Sequence, residues 1–414
     1  MKTRKPKVLF LIEDGPYLYD NRVRREATCL REAGAEVSVI CPNAGEERFH
    51  SLVDGVRIYR YRKPALGEGL FAHMGEYVVS LVAHFFLSLV VAFRHGFSVI
   101  HAANPPDLLW MVAAPYRLFG KRFVFDHHDL VPELFEERFG RDRKTLLAIA
   151  RFMERMSFRL ASHVISTNES YRQVAIARGG KSESDVTVVR NGPDPADFPE
   201  TVPDAKIRAL APVVVGYLGN MNPQDGVDNV LQAAAIIKNE FQRPDIAFVL
   251  IGSGDSYHSL VELRDKLDII DNVVMTGRIP WSDVVATLSA TDIGVQPDPP
   301  GGLNDHSTMN KLMDYMILGK AVVAFDLPES RVSGGDAIVY VPGDDARSLA
   351  TGIMAFADDK AKMQEFGVKA RERVMRDLAW HHQAPNLIAV YRRLFPQADI
   401  GIQNPMDQGS INCE

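Results

Sequence analysis

Two stretches of alternating strand-like and helix-like segments, separated by a proline-rich break, constrain the fold of this chain more than any other feature. Short runs rich in β-branched residues alternate with longer stretches of helical periodicity, over residues 8–166 and again over residues 213–325. Between them lies RNGPDPADFPETVPDAK, which has four prolines after a glycine and the composition of a linker. Each alternation predicts a parallel sheet covered by helices.

Length and composition agree with two folded domains of this kind. The chain has 414 residues, more than one ordinary hydrophobic core holds, and 46% apolar and 24% charged residues are typical of a globular protein. We therefore predict an α/β protein with two Rossmann-like, doubly wound domains facing a cleft, over residues 1–200 and 201–380. We expect the last helical stretch, about residues 381–396, to return to the first domain.

Charge and cysteine usage exclude several classes of protein. The net charge of −6 provides no global field that would attract nucleic acid. The three cysteines, Cys29, Cys41 and Cys413, are scattered without metal-ligand spacing and suit a reducing cytosol. The apolar run VLFLI near the start is short and meets Glu13 and Asp14 directly. We interpret it as a buried strand and not as a cleavable leader, and we expect a cytoplasmic protein.

The longest apolar run, YVVSLVAHFFLSLVVAF at residues 77–93, raises the question of a membrane span. It is at the lower limit of the roughly 17–25 residues that a spanning helix needs. Its polar residues Ser80, His84 and Ser88 recur at every fourth position and share one helical face. A span would also separate strands of one sheet, so we favour a core helix or one lying in the membrane surface. With the basic stretch 57–63 nearby, we expect peripheral contact with anionic lipid on the inner face of the cytoplasmic membrane.

The segment LNDHSTMNKLMDYMILGKAVVAFD, residues 303–326, carries the most chemical information. Ser307 or Thr308 is suited to cap a helix that Gly319 ends. The apolar residues at helical spacing predict one buried stripe, made of Met309, Leu312, Met313, Met316 and Ile317. The opposite, polar face carries Asn310, Lys311, Asp314 and Tyr315.

The amino end of this helix is a predicted anion site. Its unpaired N–H groups and partial positive charge favour a diphosphate, and Lys311 in the first turn adds a full charge. Asp314, one turn later, is placed to accept hydrogen bonds from ribose hydroxyls. The alternative is a solvated ion pair between Lys311 and Asp314.

Two strand ends in the first half carry candidate site residues. FDHHDLVPEL follows the predicted strand 123–125, and HAANPPD, which includes Asn104, follows the strand before it. The carboxyl end of such a sheet is where ligands bind. His128 is the first candidate for ligand binding and His127 is the alternative, and either histidine could instead pair with Asp126 or Asp129. Asn104 lines a ligand cleft or belongs to an ordinary loop.

Three arginines, Arg22, Arg24 and Arg25, lie in the first turn of the first predicted helix. Cations there are unfavourable by about 0.3–1 kcal/mol each, so an anion should offset them. A phosphate group of a bound ligand is one candidate. Pairing with Asp20 and Glu26 is the other.

The segment 303–326 resembles the donor-binding motif of the retaining GT-B glycosyltransferases, family four in particular, in the branch where an Asn-Lys pair precedes the donor-site acid. In that family two glutamates separated by seven residues open and occupy this helix. Asp314 matches the second, and the first falls at His306, so Asp305 and His306 are candidates for contact with the transferred sugar. FDHHD resembles the family's acceptor-domain histidine followed by an acid, which gives His128 a place beside that sugar. The resemblance implies that His128 binds a sugar hydroxyl by hydrogen bonding and does not act as an acid or base. The ligand cleft near Asn104 would then be the acceptor cleft.

Three loops of the second half are similar to the same family. GYLGNMNPQDGVDNV resembles its first donor-domain strand and glycine loop, although Asp225 stands where most members carry a phosphate-binding lysine. IGSGD is similar to the family's glycine turn, where the backbone approaches a nucleotide closely. GRIPWSD is similar to the family's loop that contacts the base or a phosphate. Taken alone, IGSGD would be an ordinary turn and GRIPWSD the start of a helix. PDPPGGLNDHS is expected to close over the sugar. The resemblance implies donor-binding roles for Gly219, Asn220, Gly252, Ser253, Gly254, Arg278, Asn310, Lys311 and Asp314.

The resemblance implies a retaining glycosyltransferase, and the membrane contact expected from the apolar helix and the basic stretch suits surface polysaccharide synthesis. The donor would be a UDP- or GDP-sugar, and the acceptor a polyprenyl-diphosphate-linked saccharide or another glycan. No metal or organic cofactor is expected, because helix terminus and basic side chains neutralise the diphosphate. The alternatives are a nucleotide-sugar epimerase or phosphorylase of similar shape, and a catalytically inactive scaffold subunit.

Overall fold

The chain forms two compact units, each described here by itself. A computed structural model describes residues 5–43, 45, 48–65, 67, 70–140, 142–343 and 345–401. Unit 1 comprises Met1–Arg190 and Gln383–Glu414, and unit 2 comprises Asn191–His382. The division precedes the predicted boundary at residue 200, because the proline-rich segment packs on unit 2. There Trp380 N donates to Pro193 O at 2.9 Å, and Trp281 Nε1 donates to Asp197 O at 2.8 Å.

Unit 1 contains an eight-stranded sheet with the strand order β3-β4-β2-β1-β5-β6-β7-β8. All neighbouring strands are parallel except β3 and β4. The strands are β1 (Lys7–Leu11), β2 (Glu36–Pro42), β3 (His50–Val53), β4 (Val56–Tyr61), β5 (Val99–Ala103), β6 (Arg122–His127), β7 (His163–Ser166) and β8 (Val186–Val188). The apolar run near the start is therefore the buried strand β1 at the middle of the sheet, as predicted.

Helices connect the strands of unit 1. They are α1 (Asn21–Glu32), α2 (Leu70–Arg94), α3 (Trp110–Leu118), α4 (Val131–Phe139), α5 (Lys144–Leu160) and α6 (Glu169–Ala177). The last helix in the part of the chain that the structure describes is Trp380–Leu394, called α15. Its apolar face is buried, and Tyr391 Oη lies 2.8 Å from His101 Nδ1 of β5. Cys29 and Cys41 are buried thiols, whereas Cys413 lies outside the described residues.

Unit 2 contains a six-stranded, fully parallel sheet with the strand order β11-β10-β9-β12-β13-β14. The strands are β9 (Val213–Leu218), β10 (Ile246–Ile251), β11 (Val273–Gly277), β12 (Ile293–Gln296), β13 (Ala321–Phe325) and β14 (Val339–Val341). The helices are α7 (Ala205–Arg208), α8 (Val227–Asn239), α9 (Tyr257–Lys266), α10 (Trp281–Ser289), α11 (Asn310–Ile317), α12 (Pro328–Gly334), α13 (Ala346–Ala357) and α14 (Lys360–Arg373). Both units thus have the doubly wound α/β architecture.

Helix α2 crosses from β4 to β5, two strands of the same sheet. Its segment Met74–Arg94 is long and apolar enough to span a membrane by length and composition, and 28% of its most apolar window is buried. The polar stripe faces inward: Ser80 Oγ donates to Glu13 at 2.8 Å, and His84 Nε2 lies 3.1 Å from Ile12 O. Apolar residues face outward, Val82 and Phe86 among them.

The cations of the basic stretch 57–63 are partly paired within unit 1, whereas Arg62 is exposed. It forms β4 and the residues after it. Arg60 is buried and donates to Ser51 Oγ at 2.8 Å, Arg57 lies 3.4 Å from Glu36, and Lys63 lies 2.8 Å from Glu13. Strand pairing turned these side chains toward internal partners that local sequence does not show.

Candidate functional site

The predicted donor residues of unit 2 meet at the carboxyl ends of β9, β10 and β12. Gly219 follows β9 and Gly252 follows β10, and the two glycines touch. A Cβ at Gly252 would lie 1.8 Å from Gly219 O, and one at Gly219 would lie 3.1 Å from Lys311 Cε. Only glycines allow this approach, so the two loops and Lys311 form one compact edge of the sheet.

Lys311 is nearly buried in this edge and forms an ion pair with a residue outside its own helix. Its Nζ lies 2.8 and 2.9 Å from the two carboxylate oxygens of Asp298, and 5.0 Å from the centre of the Tyr217 ring. Burial alone would lower the pKa of Lys311, but Asp298 and Asp225 outweigh it and raise the pKa. The ammonium group therefore stays charged. Its partner is Asp298, and not Asp314 as in the alternative considered above.

Helix α11 differs in two respects from its prediction. Met309 is the N-cap residue, without a capping side chain, and Ser307 Oγ donates instead to Leu303 O. Tyr315, predicted on the polar face, is fully buried, because its hydroxyl accepts from Leu218 N at 2.7 Å and donates to Val295 O at 3.2 Å. The rest of the apolar stripe is buried as predicted, apart from the half-buried Met309.

The other predicted residues of unit 2 surround this edge. Asn310 is exposed and Asp314 half-buried, both on α11. Asn220 is exposed and its carbonyl accepts from Tyr217 Oη at 2.5 Å. Arg278 is exposed just after β11. The carbonyl of Ser253 accepts from Met221 N at 3.2 Å, and Gly254 adjoins it.

The loop between β12 and α11 carries Asp305 and His306. Asp305 Oδ1 accepts a hydrogen bond from Gly301 N at 2.9 Å, and His306 is exposed. Asn304 Nδ2 donates to Pro299 O at 2.9 Å and to Gln224 O at 3.0 Å, which ties the loop to the segment after β9. Asp225, the residue in place of the family's lysine, accepts from Asn222 N at 2.9 Å, and burial raises its pKa against the opposing effect of Lys311. Hydrogen bonds within the loop, and one to the segment after β9, therefore hold this loop in place.

The end of β6 in unit 1 separates His127 from His128. The strand extends to His127, whose ring is fully buried beside Phe125, Phe158 and Tyr171. Burial, with a smaller effect of Arg178, lowers the pKa of His127 to about 3. His127 is therefore excluded as a ligand-binding alternative.

His128 is the accessible histidine, with 17% of its side chain exposed. Its Nδ1 lies 3.4 Å from Asp126 Oδ2. Burial alone would lower its pKa, but the carboxylates of Asp126 and Asp129 outweigh burial and raise the pKa to about 9. His128 is thus a cation at neutral pH.

Arg22 and Asn104, predicted to bind phosphate or acceptor, have internal partners. Arg22 is buried, its Nε and Nη2 donate to Asp126 at 2.8 and 2.6 Å, and its Nη2 lies 3.2 Å from Glu26. The anion that offsets Arg22 is therefore chiefly Asp126, 104 positions later, and not a phosphate. Arg24 and Arg25 are half-buried on α1.

Asn104 is buried between the loops that follow β5 and β6. Its Nδ2 donates to Asp107 Oδ1 at 2.9 Å and to Asp129 O at 2.7 Å. Its Oδ1 accepts from the backbone N–H groups of His128 and Asp129 at 2.8 and 3.1 Å. The amide is saturated, so Asn104 holds the His128 loop in place instead of reaching a ligand.

One group of metal-ligand type occurs within the described ranges. Ligand atoms of Glu26, His101 and Asp126 all lie within 4.8 Å of one another. The guanidinium of Arg22 stands 2.6 Å from Asp126 and 3.2 Å from Glu26, which gives the carboxylates an internal cation. The cluster is an arginine-centred ion-pair network and does not fit a metal ion. Local sequence motifs did not indicate Asp298, Tyr217 or Tyr391, because their partners come from distant segments.

Comparison with known proteins agrees with this architecture. Residues 212–359 match the family described as Glycosyl transferases group 1, and residues 19–192 match the Glycosyl transferase 4-like domain. Among curated proteins, a phosphatidyl-myo-inositol mannosyltransferase of Mycolicibacterium smegmatis is 28% identical over 221 residues, which are 50% of this chain and 52% of that protein. A 2-deoxystreptamine glucosyltransferase of Streptomyces kanamyceticus is 23% identical over 254 residues, 58% of this chain and 63% of that protein. The chain thus spans only about half to two thirds of these relatives.

Solved structures show the same fold over nearly the whole chain. The sucrose-phosphate synthase of Thermosynechococcus elongatus superimposes with a TM-score of 0.77 at 18% identity, covering 95% of this chain and 100% of that one. The Anabaena protein HepE, solved with UDP and glucose, has a TM-score of 0.70 at 17% identity, covering 94% and 100%. The fold is GT-B, and the chain belongs to the glycosyl transferases group 1, with a glycosyl transferase 4-like domain in its first half.

Proposed function

We propose that this protein is a retaining glycosyltransferase that moves a sugar from a nucleoside-diphosphate sugar to a lipid-linked or other glycan acceptor. The observation that carries the proposal is the edge of the unit 2 sheet, where two touching glycine loops meet Lys311 and the start of α11 without a side-chain cap. Such an edge offers backbone N–H groups and one fixed cation to a diphosphate. The family membership of both halves points to the same reaction class.

Lys311 compensates for the lysine that the glycine loop lacks. In most members of the family a lysine just before the second glycine of that loop binds phosphate, and Asp225 stands there in this chain. Lys311 comes from α11 instead and reaches to Gly219. In the proposed reaction it stabilises the charge that develops on the leaving diphosphate, without a metal ion. Full activity in the presence of EDTA is the corresponding expectation.

A thermal-shift screen against UDP-, GDP-, ADP- and CMP-sugars tests the donor proposal. A ligand that binds only the folded state raises the melting temperature by mass action. At equal concentration, the donor with the largest shift identifies the preferred base. Lys311→Ala would leave Asp298 buried and unpaired, so Lys311→Met with Asp298→Asn is the better variant because it removes both charges. We expect this double variant to lose the shift, and Lys369→Met, an exposed lysine of α14, to keep it. Absence of any shift in the wild type would contradict the proposal.

We also propose that unit 1 rests on an anionic membrane through the layer formed by α2, α3 and α5. Helix α3 packs on both α2 and α5, so the three helices make one layer. Large apolar side chains are exposed on each of them, at Val78, Phe86, Phe93, Leu118 and Phe152 among others. Arg94, Lys144, Arg155 and Arg159 add exposed positive charge on the same helices. Apolar side chains mixed with basic ones suit an anionic lipid surface, where a lipid-linked acceptor would be met.

Sedimentation with phosphatidylglycerol vesicles tests membrane contact, with phosphatidylcholine vesicles for comparison. Phe86→Asp with Phe93→Asp should reduce the bound fraction by about tenfold or more, since each buried apolar side chain contributes about 1.5–3 kcal/mol. The control is Val368→Asp, at an apolar residue on α14 of unit 2 that is about as exposed as Phe86. Equal binding of all three proteins would rule out this surface.

A non-catalytic scaffold subunit is the second candidate. It is favoured by His306 and Asp225, which stand where the family has a glutamate and a lysine. Release of free nucleoside diphosphate from the donor found in the screen decides between the two. Binding without any turnover, with the membrane fraction present as acceptor source, would support the scaffold.

A further inference from the structure

A buried polar cluster lies beside His128 in unit 1. It contains more charged groups than are needed to hold one histidine that binds substrate. Arg22 and Glu26 come from α1, His101 from β5, Asp126 from β6 and Tyr391 from α15. All five are buried, and each has at least one polar neighbour within the cluster. Charged groups withdrawn from water in this way are costly unless they are paired, so their arrangement needs an explanation.

Arg22 holds the carboxylate of Asp126 in a two-point clamp. Its Nε lies 2.8 Å from Oδ2 and its Nη2 lies 2.6 Å from Oδ1. Its remaining nitrogen, Nη1, donates to Val189 O at 3.0 Å, which fixes the guanidinium in turn. A bidentate arginine–carboxylate pair is among the strongest and most directional contacts in proteins.

His128 has one edge of its ring on this clamped carboxylate. Its backbone N–H is held by Asn104, and its Nδ1 lies 3.4 Å from Asp126 Oδ2. Part of the ring reaches the surface, although Asp126 is fully buried. In the part of the chain that the structure describes, no protein group forms a hydrogen bond with Nε2. The contacts therefore orient the ring and leave one nitrogen available.

We propose that Asp126, clamped by Arg22, is the positioning residue of His128: it fixes the ring through Nδ1 and presents Nε2–H as a permanent donor to an oxygen of the sugar substrate. The inference rests on the proposed function, because it assigns that substrate to His128. It goes further by giving roles to two buried residues, Asp126 and Arg22. An imidazole with both nitrogens protonated cannot accept a proton, so His128 binds and does not act as a general base.

The charges around His128 are consistent with this role. Asp20, Arg22 and Glu26 face it from α1 and its N-cap, Asp126 and Asp129 come from its own strand and loop, and His127 is its neighbour. Burial alone would raise the pKa of Asp126, but Arg22 outweighs it and holds the pKa well below its usual range, so that carboxylate stays charged. The raised pKa of His128, about 9, follows from the same contact.

Titration of His128 by NMR tests the positioning without any substrate. Protein labelled with ¹⁵N-histidine is followed through pH, with His128→Gln assigning the signal. We expect a wild-type pKa near 9 and a fall toward the ordinary 6.5 in Asp126→Asn, which keeps the shape but not the charge. A wild-type value at or below 6.5, or no change in Asp126→Asn, would overturn the proposal.

Kinetics then separate positioning from a structural role. With UDP-glucose or GDP-mannose as donor, Asp126→Asn should lower turnover about tenfold or more at about pH 8.5 and much less at about pH 6, where the histidine is protonated anyway. In a His128→Gln background the same substitution should change turnover by less than about twofold, because Asp126 acts only through His128. An equal loss at both pH values and in both backgrounds would show a structural role.

Arg22→Lys keeps the charge and removes the two-point clamp, which provides a variant if Asp126→Asn does not fold. We expect its His128 pKa to stay raised while turnover falls at every pH, since orientation and not charge is lost. Unchanged turnover would overturn the clamp. If titration behaves as expected but no nucleoside-diphosphate sugar is turned over, the clamp stands and the proposed function fails.

Discussion

His127 and His128 are neighbours at the end of β6, and their imidazoles lie in opposite environments. His128 borders a carboxylate and is charged, whereas both ring nitrogens of His127 are buried without a hydrogen-bond partner. The ring of His127 is packed by Phe125, Phe158 and Tyr171. At this scale a residue's chemistry depends on which side of the strand it faces, because successive side chains alternate between the two faces of a sheet.

Replacing His127 by leucine should stabilise the protein, and more so in acid. The leucine removes two unpaired buried nitrogens, for a gain of about 1 kcal/mol at pH 7.5. The folded-state pKa of His127 is about 3 and its ordinary value 6.5, so the wild type loses stability as pH falls from 6.5 toward 3. The variant escapes that loss, which adds about 1 kcal/mol at about pH 5.5.

Urea unfolding of wild type and His127→Leu at the two pH values measures both effects. The exposed His258 gives the control, His258→Asn, which should match the wild type at each pH. A leucine variant that is less stable than wild type, or that loses stability with acid to the same extent, would mean that the nitrogens have partners in solution.

At the scale of elements, the alternation of strand-like and helix-like segments predicted both parallel sheets. The strand predicted over 123–125 lies within β6 (Arg122–His127), and the helical stretch predicted over about 381–396 is α15 (Trp380–Leu394), because such patterns depend on local sequence alone. The prediction that Tyr315 lies on the polar face of its helix was wrong, because its hydroxyl has partners on β9 and β12. No local sequence pattern contains those partners. The ion-pair partners of Arg22 and Lys311 were not predicted for the same reason, since their carboxylates belong to other elements. Motif spacing identified candidate residues at the ends of strands, but it could not show which charges were already paired.

Asn104 links two such elements, the loops after β5 and β6, and its removal should loosen the second loop. Asn104→Ala leaves two backbone N–H groups and two acceptors without their partner, which we expect to cost about 2–4 kcal/mol. Hydrogen exchange should speed up at the amides of His128 and Asp129 and stay unchanged in β9 of unit 2. Asn272→Ala, which loses one contact to Pro244 O at an exposed turn, should cost less than about 0.5 kcal/mol.

At the scale of the whole molecule, the two units differ in whether each can fold by itself, because of the order of their elements along the chain. Unit 2 is one continuous segment, Asn191–His382, whose sheet is complete in itself. Unit 1 is split, because α15 follows unit 2 in sequence and packs on β5 and β8 of unit 1. Folding of unit 1 therefore depends on a helix that follows unit 2 in the chain.

A fragment of residues 191–382 should fold alone, whereas a fragment of residues 1–190 should not. Without α15 the first fragment leaves His101 Nδ1 without Tyr391 Oη and exposes the surface that buries Leu387, Ile388 and Val390. Burying three such side chains contributes about 1.5–3 kcal/mol each, a large part of the roughly 5–15 kcal/mol that stabilises a domain. Joining residues 383–401 to residue 190 through a flexible linker should restore cooperative unfolding, measured by circular dichroism in urea.

In that fusion Tyr391→Phe removes only the hydroxyl and should cost about 1–3 kcal/mol, the penalty for leaving a buried histidine nitrogen unpaired. A fragment 1–190 that unfolds cooperatively by itself would show that α15 is dispensable, and the buried cluster around Asp126 would then have to be complete without Tyr391.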